Sequence, residues 1–338
     1  MAACFHRPAP PARMRPILSA AALLTVLALP VSAQEPSHIP VPVPPPDPSS
    51  AAELIPPLAP AGPRPLAEIQ GVIDTVDSQI LGLLNQRAAL TAEALQRVEP
   101  DKAQPGGFQP GRQAALLRRL AVDNRGPLPS TALARIWTEI IGASIRVEQT
   151  LTVAFAGHET IAAPLAVEYF GTGMTMVRAR TPDALLEMVA TDQAHVGVVE
   201  LDSGDDSNRW WRRLLEPVNG RRLRVVARLP FLPPAPGHVR ATGFVVAPFD
   251  ADPSGRDRLL LAVDADSGTS AKAAGTALGV LGWRGVSVLD QGDIDSGRGF
   301  LVEADKPETL PPEPDPASGV LWRVVAVGGY AAPLTAGE

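Results

Sequence analysis

Residues 77–90 read DSQILGLLNQRAAL, and the predicted fold of the region around them follows from their pattern. Wound as a helix, the stretch places four apolar side chains on one face at the spacing of a core-facing stripe, namely Ile80, Leu83, Leu84 and Leu90. Arg87 lies within the same stripe. Because a buried and unpaired guanidinium is costly, Arg87 must extend to solvent, pair with a carboxylate such as Glu93, or bind an anion from outside.

The apolar stripe continues on both sides and predicts one long helix from about Leu66 to Arg97. After the loop 99–110, EPDKAQPGGFQP, a second helix is expected from near Pro110, and Ser130 is a candidate N-cap for a third. Two shorter helices cannot cover the apolar face of a helix this long. The pattern therefore predicts an all-α bundle that is completed by a second copy of the chain, as a homodimer.

From Leu151 onward, short apolar strands alternate with helices, which is typical of a parallel α/β layer. The last part of the chain reads strand, helix, strand, strand and closing strand, which predicts a small α+β domain. The predicted organisation is multidomain: a signal peptide at 1–33, a proline-rich linker at 34–65, a helical domain at 66–150, an α/β domain at 151–250 and an α+β domain at 251–338.

The N-terminal segment MRPILSAAALLTVLALPVSA, residues 14–33, has the basic start, the short apolar run and the small-residue end of a secretory signal peptide. The run is short for a membrane span, and Pro30 favours cleavage after Ala33 over an uncleaved anchor. We therefore expect a periplasmic or secreted protein with no membrane association after cleavage. The single cysteine, Cys4, would leave with the signal peptide, so no disulfide is expected.

Composition and charge argue against several classes of function. The formal net charge of −6 lacks the basic field that a nucleic-acid partner requires, so we expect no nucleic acid. His158, His195 and His238 show no metal-ligand spacing, and the sequence has no phosphate-binding loop in a strand-to-helix context. We expect neither a metal nor any other cofactor.

Three segments of the helical region resemble the all-helical chorismate mutases: IDTVDSQILGLLNQRAAL at 73–90, GRQAALLRRL at 111–120 and IIGASIRVEQ at 140–149. The segment 151–171 resembles the start of a prephenate dehydratase domain, and residues 254–293 resemble the ACT regulatory domain that follows it in that family. The chain thus has the order of a bifunctional chorismate mutase–prephenate dehydratase. The resemblance implies a dimeric helical bundle, then a prephenate-dehydratase-like α/β lobe and an ACT-like α+β domain.

For the helical region, the resemblance implies the conversion of chorismate to prephenate in aromatic amino acid biosynthesis. Arg87 and Arg112 fall on family positions that bind the two carboxylates of chorismate, and Ser144 falls on a substrate-binding serine. Glu148 falls on the family position for a donor to the breaking ether oxygen, a role that a glutamate performs only when protonated. The implied catalytic residues are therefore Arg87, Arg112 and Glu148.

Four positions depart from the family's mutase site. Its first arginine and its lysine fall on Gln70 and Val98, and its acidic pair falls on Gln109 and Gln113. Loss of one preorganised donor to a developing oxyanion typically costs about a hundred- to a thousandfold in rate. The residues therefore leave two functions open: an isomerase of reduced mutase activity, and a non-catalytic ligand-binding or scaffold protein of the cell envelope.

The candidate site residues also have structural interpretations. Arg112 belongs with Arg118 and Arg119 to a run that alone is typical of a solvated helix face. Ser144 alone is typical of a core serine bonded to its own helix backbone. Only the joint spacing of these residues with Arg87 favours a binding site.

The second half of the chain departs further from the family. The family's Thr-Arg-Phe motif reads Thr242-Gly243-Phe244, and only a short loop stands where the family has a second α/β lobe. The ACT segments that bind phenylalanine in the family are not intact. We therefore expect neither prephenate dehydratase activity nor regulation by phenylalanine.

The signal-peptide pattern predicts that the mature protein begins at Gln34, because signal peptidase cleaves after a small residue such as Ala33. Mass spectrometry of the N-terminal peptide, on protein recovered from its native host, would identify this end. A native peptide that spans the Ala33–Gln34 bond would contradict the prediction.

Overall fold

The computed structural model describes six stretches of the chain: 64–98, 104–148, 150–201, 209–233, 241–315 and 320–335. For Gly106, Val147 and Glu148, only the backbone is described. The predicted signal peptide and nearly all of the predicted proline-rich linker lie outside the described residues.

Three helices form the first part of the described chain: α1 Leu66–Leu95, α2 Pro110–Asp123 and α3 Ser130–Glu148. They confirm the predicted order of one long helix and two shorter ones. Pro110 stands at the first position of α2, where the missing N–H of proline costs no intrahelical hydrogen bond. Ser130 is the first residue of α3 rather than the residue before it, so the predicted boundary was wrong by one position.

α1 is exposed over most of its length. None of its residues is buried, and from Leu66 to Leu83 every residue except Val72 is exposed. Large apolar side chains recur along one face of this exposed part: Ile69, Ile73, Val76, Ile80 and Leu83. Within the described stretches nothing covers this face, and no helix there has an apolar run long enough to cross a membrane.

Nine strands of the described chain form one sheet. In chain order they are β1 Thr152–Ala156, β2 Thr175–Arg178, β3 Val196–Leu201, β4 Arg224–Leu229, β5 Thr242–Ala247, β6 Asp257–Ala265, β7 Ser287–Ile294, β8 Gly297–Asp305 and β9 Leu321–Ala331. Across the sheet the order is β2-β1-β3-β5-β4-β9-β6-β8-β7.

The first three strands form the parallel layer that the alternating pattern predicts. β1 pairs in parallel with β2 on one side and with β3 on the other. Two helices, α4 Glu159–Phe170 and α5 Pro182–Ala190, connect these strands. The chain thus reverses its winding at β1, and the carboxyl ends of β1 and β3 lie at a topological switch point.

The last four strands and α6, Ala271–Val280, have the order and antiparallel pairing of a split β-α-β arrangement. β9 also pairs in parallel with β4, at Gly328 and Val225. A Cβ atom at position 328 would lie 2.2 Å from the carbonyl oxygen of Val225, so this close approach requires glycine. One continuous sheet therefore crosses the predicted boundary at residue 250, and the domain boundaries stay predictions.

Aromatic side chains and a glycine join the helices to the sheet region. Phe108, just before α2, is fully buried and contacts Tyr169, Phe170 and Phe249 at ring-centroid distances between 5.2 and 6.3 Å. Gly142 of α3 lies against the end of α4, where a Cβ atom would be 2.4 Å from the carbonyl oxygen of Phe170. The helical region therefore packs directly against α4.

Candidate active site

A cavity of about 410 Å³ lies between α1, α2 and α3. Its apolar wall includes Leu90, Leu95, Leu116 and Ile141. Arg87, Arg112 and Ser144 also line it, so the structure brings together three of the four site residues that the sequence predicts. The volume falls in the range of about 300–1,000 Å³ that is usual for small-molecule sites.

Arg87 reaches the cavity from α1. Its Nη1 donates a hydrogen bond to Ser144 Oγ, 2.5 Å away on α3. Ser144 Oγ donates in turn to the carbonyl oxygen of Ile140 at 2.8 Å, as the structural interpretation of this serine predicts. The hydroxyl group therefore has two partners, and it orients the guanidinium of Arg87 inside the cavity.

The charge of Arg87 is unfavourable in the free protein. Burial lowers the pKa of Arg87, and the positive charge of Arg112 lowers that pKa further. Among the side chains that are described, no carboxylate pairs with Arg87. A cation whose folded-state pKa is lowered opposes folding at every pH below that pKa, so an anion bound in the cavity would relieve this cost.

One of the structural alternatives does not hold, and another holds only in part. The carboxylate of Glu93 lies 2.5 Å from Nη2 of Arg97 at the protein surface, so the proposed pairing of Glu93 with Arg87 was wrong. Arg112 and Arg119 are exposed, as a solvated face predicts. Arg118 is only half-exposed, and its Nη1 donates to the carbonyl oxygen and to Oγ of Ser254 at 3.2 and 3.0 Å.

Three of the four positions that depart from the mutase pattern line the same cavity: Val98, Gln109 and Gln113. The Nε2 of Gln113 is buried and donates to the carbonyl oxygen of Tyr169 at 3.3 Å. Gln70 lies on the exposed part of α1. Glu148 is the last residue of α3, and its side chain lies outside what the structure describes.

The sequence reasoning missed Asp252, which follows β5 and contacts the start of α2. Its Oδ1 accepts a hydrogen bond from the backbone N–H of Gly111 at 2.8 Å, and its Oδ2 accepts one from that of Arg112 at 2.7 Å. The only signal in the sequence is indirect. Gln109 and Pro110 open α2 without the serine, threonine, aspartate or asparagine that usually caps a helix.

Two other polar clusters lie away from this cavity. His158 has its Nδ1 3.1 Å from Oε2 of the buried Glu200, near the carboxyl ends of β1 and β3. A second cavity, of about 420 Å³, is lined by side chains of both charges, including Arg209, Arg298, Asp290 and Asp293. Among the described residues, no three histidine, cysteine, aspartate or glutamate side chains are grouped to hold a metal ion.

Residues 69–149 match the family model of chorismate mutase type II. These residues form a chorismate mutase type II domain. The bifunctional chorismate mutase/prephenate dehydratase of Neisseria gonorrhoeae is 32% identical over 140 residues, which are 41% of this chain and 38% of that protein. The match thus spans well under half the length of this relative. The two activities in the relative's name are stated of the relative alone.

Two solved structures are similar to parts of the chain. GqqA, described as a novel type of quorum quenching acylase, is 17% identical with a TM-score of 0.37, over 54% of this chain and 95% of that chain. A prephenate dehydratase from Arthrobacter aurescens, solved in complex with L-Phe, is 13% identical with a TM-score of 0.35, over 55% of this chain and 92% of that chain. Neither similarity is close enough to carry a conclusion about this chain.

Replacement of Arg87 by methionine should raise the free energy of unfolding or lower it by less than about 1.5 kcal/mol. The change removes a desolvated charge that Arg112 repels, at the cost of one hydrogen bond to Ser144. Denaturant titration of the free protein measures the effect. Arg97→Met, at an exposed ion pair on the same helix, is the matched control and should change stability by less than about 0.5 kcal/mol. A loss of about 3 kcal/mol or more for Arg87→Met would instead indicate a structural ion pair.

Proposed function

We propose that the helical domain binds chorismate and rearranges it to prephenate, as an isomerase that needs no metal or other cofactor. One observation carries this proposal: Arg87 and Arg112 line the same cavity, whose walls are partly apolar, and no described carboxylate pairs with Arg87. A small dicarboxylate would supply a partner for each guanidinium, in the bidentate geometry that arginine favours.

The rearrangement requires positioning rather than acid–base chemistry. In one concerted step, the ether C–O bond of chorismate breaks and a new C–C bond forms, so the reaction uses no nucleophile and no proton relay. A site that holds both carboxylates of the compact conformer lowers the barrier by orientation. Arg87 and Arg112 supply the two anchors, and Ser144 keeps the guanidinium of Arg87 in place.

We further propose that turnover is slow. Val98 lines the cavity at the position where the resemblance implies a lysine that points to the ether oxygen, and valine donates no hydrogen bond. Gln113 also lines the cavity, but its amide already donates to the carbonyl oxygen of Tyr169. One missing donor at a developing oxyanion typically costs about a hundred- to a thousandfold in rate. The site would therefore bind its substrate better than it would accelerate the reaction.

We also propose that the domain forms a homodimer through α1. The exposed apolar face of this helix is long and continuous, and the same face on a second copy would cover it by two-fold symmetry. The opposite face of α1 carries polar residues such as Asp74, Ser78 and Asn85 and is therefore suited to water.

The signal-peptide pattern supports the proposal that the protein acts in the periplasm or outside the cell.

For the sheet region we propose a scaffold role without prephenate dehydratase activity, since Gly243 stands where the family resemblance implies an arginine. The alternative function is a non-catalytic binding or scaffold protein of the cell envelope, which keeps the cavity without turnover.

Purified residues 34–338 should consume chorismate slowly and should form no phenylpyruvate from prephenate. Val98→Lys should raise the mutase rate about a hundredfold, because it places a cation where the reaction develops negative charge. Val122→Lys is the matched control, since Val122 is exposed on α2 and lies outside the cavity, and it should leave the rate unchanged. Loss of chorismate absorbance measures each rate.

The same variants separate the two candidate functions. Binding of chorismate by a folded protein that shows no turnover, with or without Val98→Lys, would establish the binding function instead of the enzyme. If neither protein binds chorismate in calorimetry, only the scaffold role is left.

Light scattering of the mature chain at micromolar concentration should give the mass of a dimer. The double variant Ile73→Glu with Ile80→Glu should be a monomer, because it places two charges within the apolar face of α1. Thr75→Glu adds a charge on the opposite, exposed face of the same helix and should stay dimeric. A monomeric wild-type protein would rule out the proposed assembly.

A further inference from the structure

The first turn of α2 is capped by a residue from outside the helical domain. The carboxylate of Asp252 accepts one hydrogen bond from each of the backbone N–H groups of Gly111 and Arg112, at 2.8 and 2.7 Å. These two donors have no partner within the helix, and the positive end of the helix dipole favours a negative charge at this place. Asp252 therefore acts as an N-cap that comes from the sheet region.

The local sequence makes this external cap necessary. Gln109 provides no side-chain cap, and Pro110 has no N–H. Gly111 allows the approach, because a Cβ atom at this position would lie 1.9 Å from the carbonyl oxygen of Asp252. Any other residue at 111 would push the start of α2 away from the sheet region.

Other contacts of α2 with the sheet region extend this attachment. Arg118 binds Ser254 and lies 5.8 Å from the ring centroid of Phe231. It also donates to the carbonyl oxygen of Ala332. One face of α2 is thus attached to the sheet region, while Arg112 extends from the same helix into the cavity.

We propose that Asp252 is a positioning residue of the mutase site: by holding the backbone of Arg112, it fixes where the guanidinium of Arg112 meets a substrate carboxylate. The inference rests on the proposed function, because it takes Arg112 as a substrate anchor. Asp252 is not among the residues that line the cavity, and it contacts the wall residue Arg112 only at its backbone N–H, so it acts through α2. A displacement of about 1 Å in a catalytic group can cost about a hundredfold in rate. A small shift of Arg112 after loss of Asp252 would therefore weaken the site measurably.

The test uses the full mature chain with three substitutions. Asp252→Ala removes both acceptors, and Asp252→Asn keeps one acceptor while it replaces the other by an NH₂ donor. Asp250→Ala is the matched control, because it removes an equal charge two residues away from a largely exposed side chain that pairs loosely with Arg224. All proteins are compared at a temperature at which circular dichroism shows them to be folded.

Two measurements are made on each protein. Calorimetry gives the dissociation constant for a bicyclic dicarboxylate mimic of the mutase transition state, and amide hydrogen exchange reports the protection of residues 111 and 112. We expect Asp252→Ala to weaken binding of the mimic at least tenfold and to speed exchange at both amides at least tenfold. Asp252→Asn should lie between Asp252→Ala and wild type, and Asp250→Ala should stay within about twofold of wild type.

A folded Asp252→Ala or Asp252→Asn protein that binds the mimic as tightly as wild type would overturn the positioning role, even if its exchange at 111 and 112 is faster. Should Asp252→Ala not fold, Asp252→Asn decides by the same criterion. A wild-type protein that does not bind the mimic would overturn the proposed function and this inference with it. The two failures therefore give different results.

Discussion

The start of α2 is held by hydrogen bonds from its first backbone N–H groups to a carboxylate that lies about 140 residues further along the chain. This attachment, the buried ring of Phe108 and the close approach of Gly142 to Phe170 place the helices against the sheet. Because α2 forms one wall of the cavity, the shape of the site depends on contacts that the helical domain does not make alone. The approach of Gly111 to Asp252 and that of Gly142 to Phe170 both require glycine, because a Cβ atom at either position would clash with a backbone oxygen.

Two arginines and several apolar side chains line the cavity. Placing two like charges beside apolar surface lowers the stability of the folded protein. The lowered pKa of Arg87 has two causes, burial and the neighbouring charge of Arg112, and both act against the folded state of the empty protein. Perturbed ionisable groups of this kind cluster at functional sites. Ser144 offsets part of the cost by accepting a hydrogen bond from Arg87, and it has no charge with which to neutralise the guanidinium. A bound anion would relieve this cost, which is why we propose the cavity as a binding site.

The helices and strands were predictable because their signals are local. A repeat of three and four residues marks α1, and the alternation of apolar strands with helices marks the parallel layer around β1. The candidate site was predictable in part: Arg87, Arg112 and Ser144 do meet in one cavity. The alternative that Arg87 pairs with Glu93 does not hold, since Glu93 pairs with Arg97, one helical turn away on the surface, and Arg87 donates to Ser144.

The sequence by itself determined which segments become helices and strands, the polar and apolar faces of α1, and the presence of two arginines at mutase-like spacing. Only the tertiary structure decided that β9 joins β4 in one sheet, that Ser144 rather than a carboxylate meets Arg87, and that Asp252 caps α2. The physical reason is that periodicity is a property of neighbouring residues along the chain. Desolvation, long-range hydrogen bonds and the approach of one backbone to another depend on which distant residues the fold brings within a few ångströms.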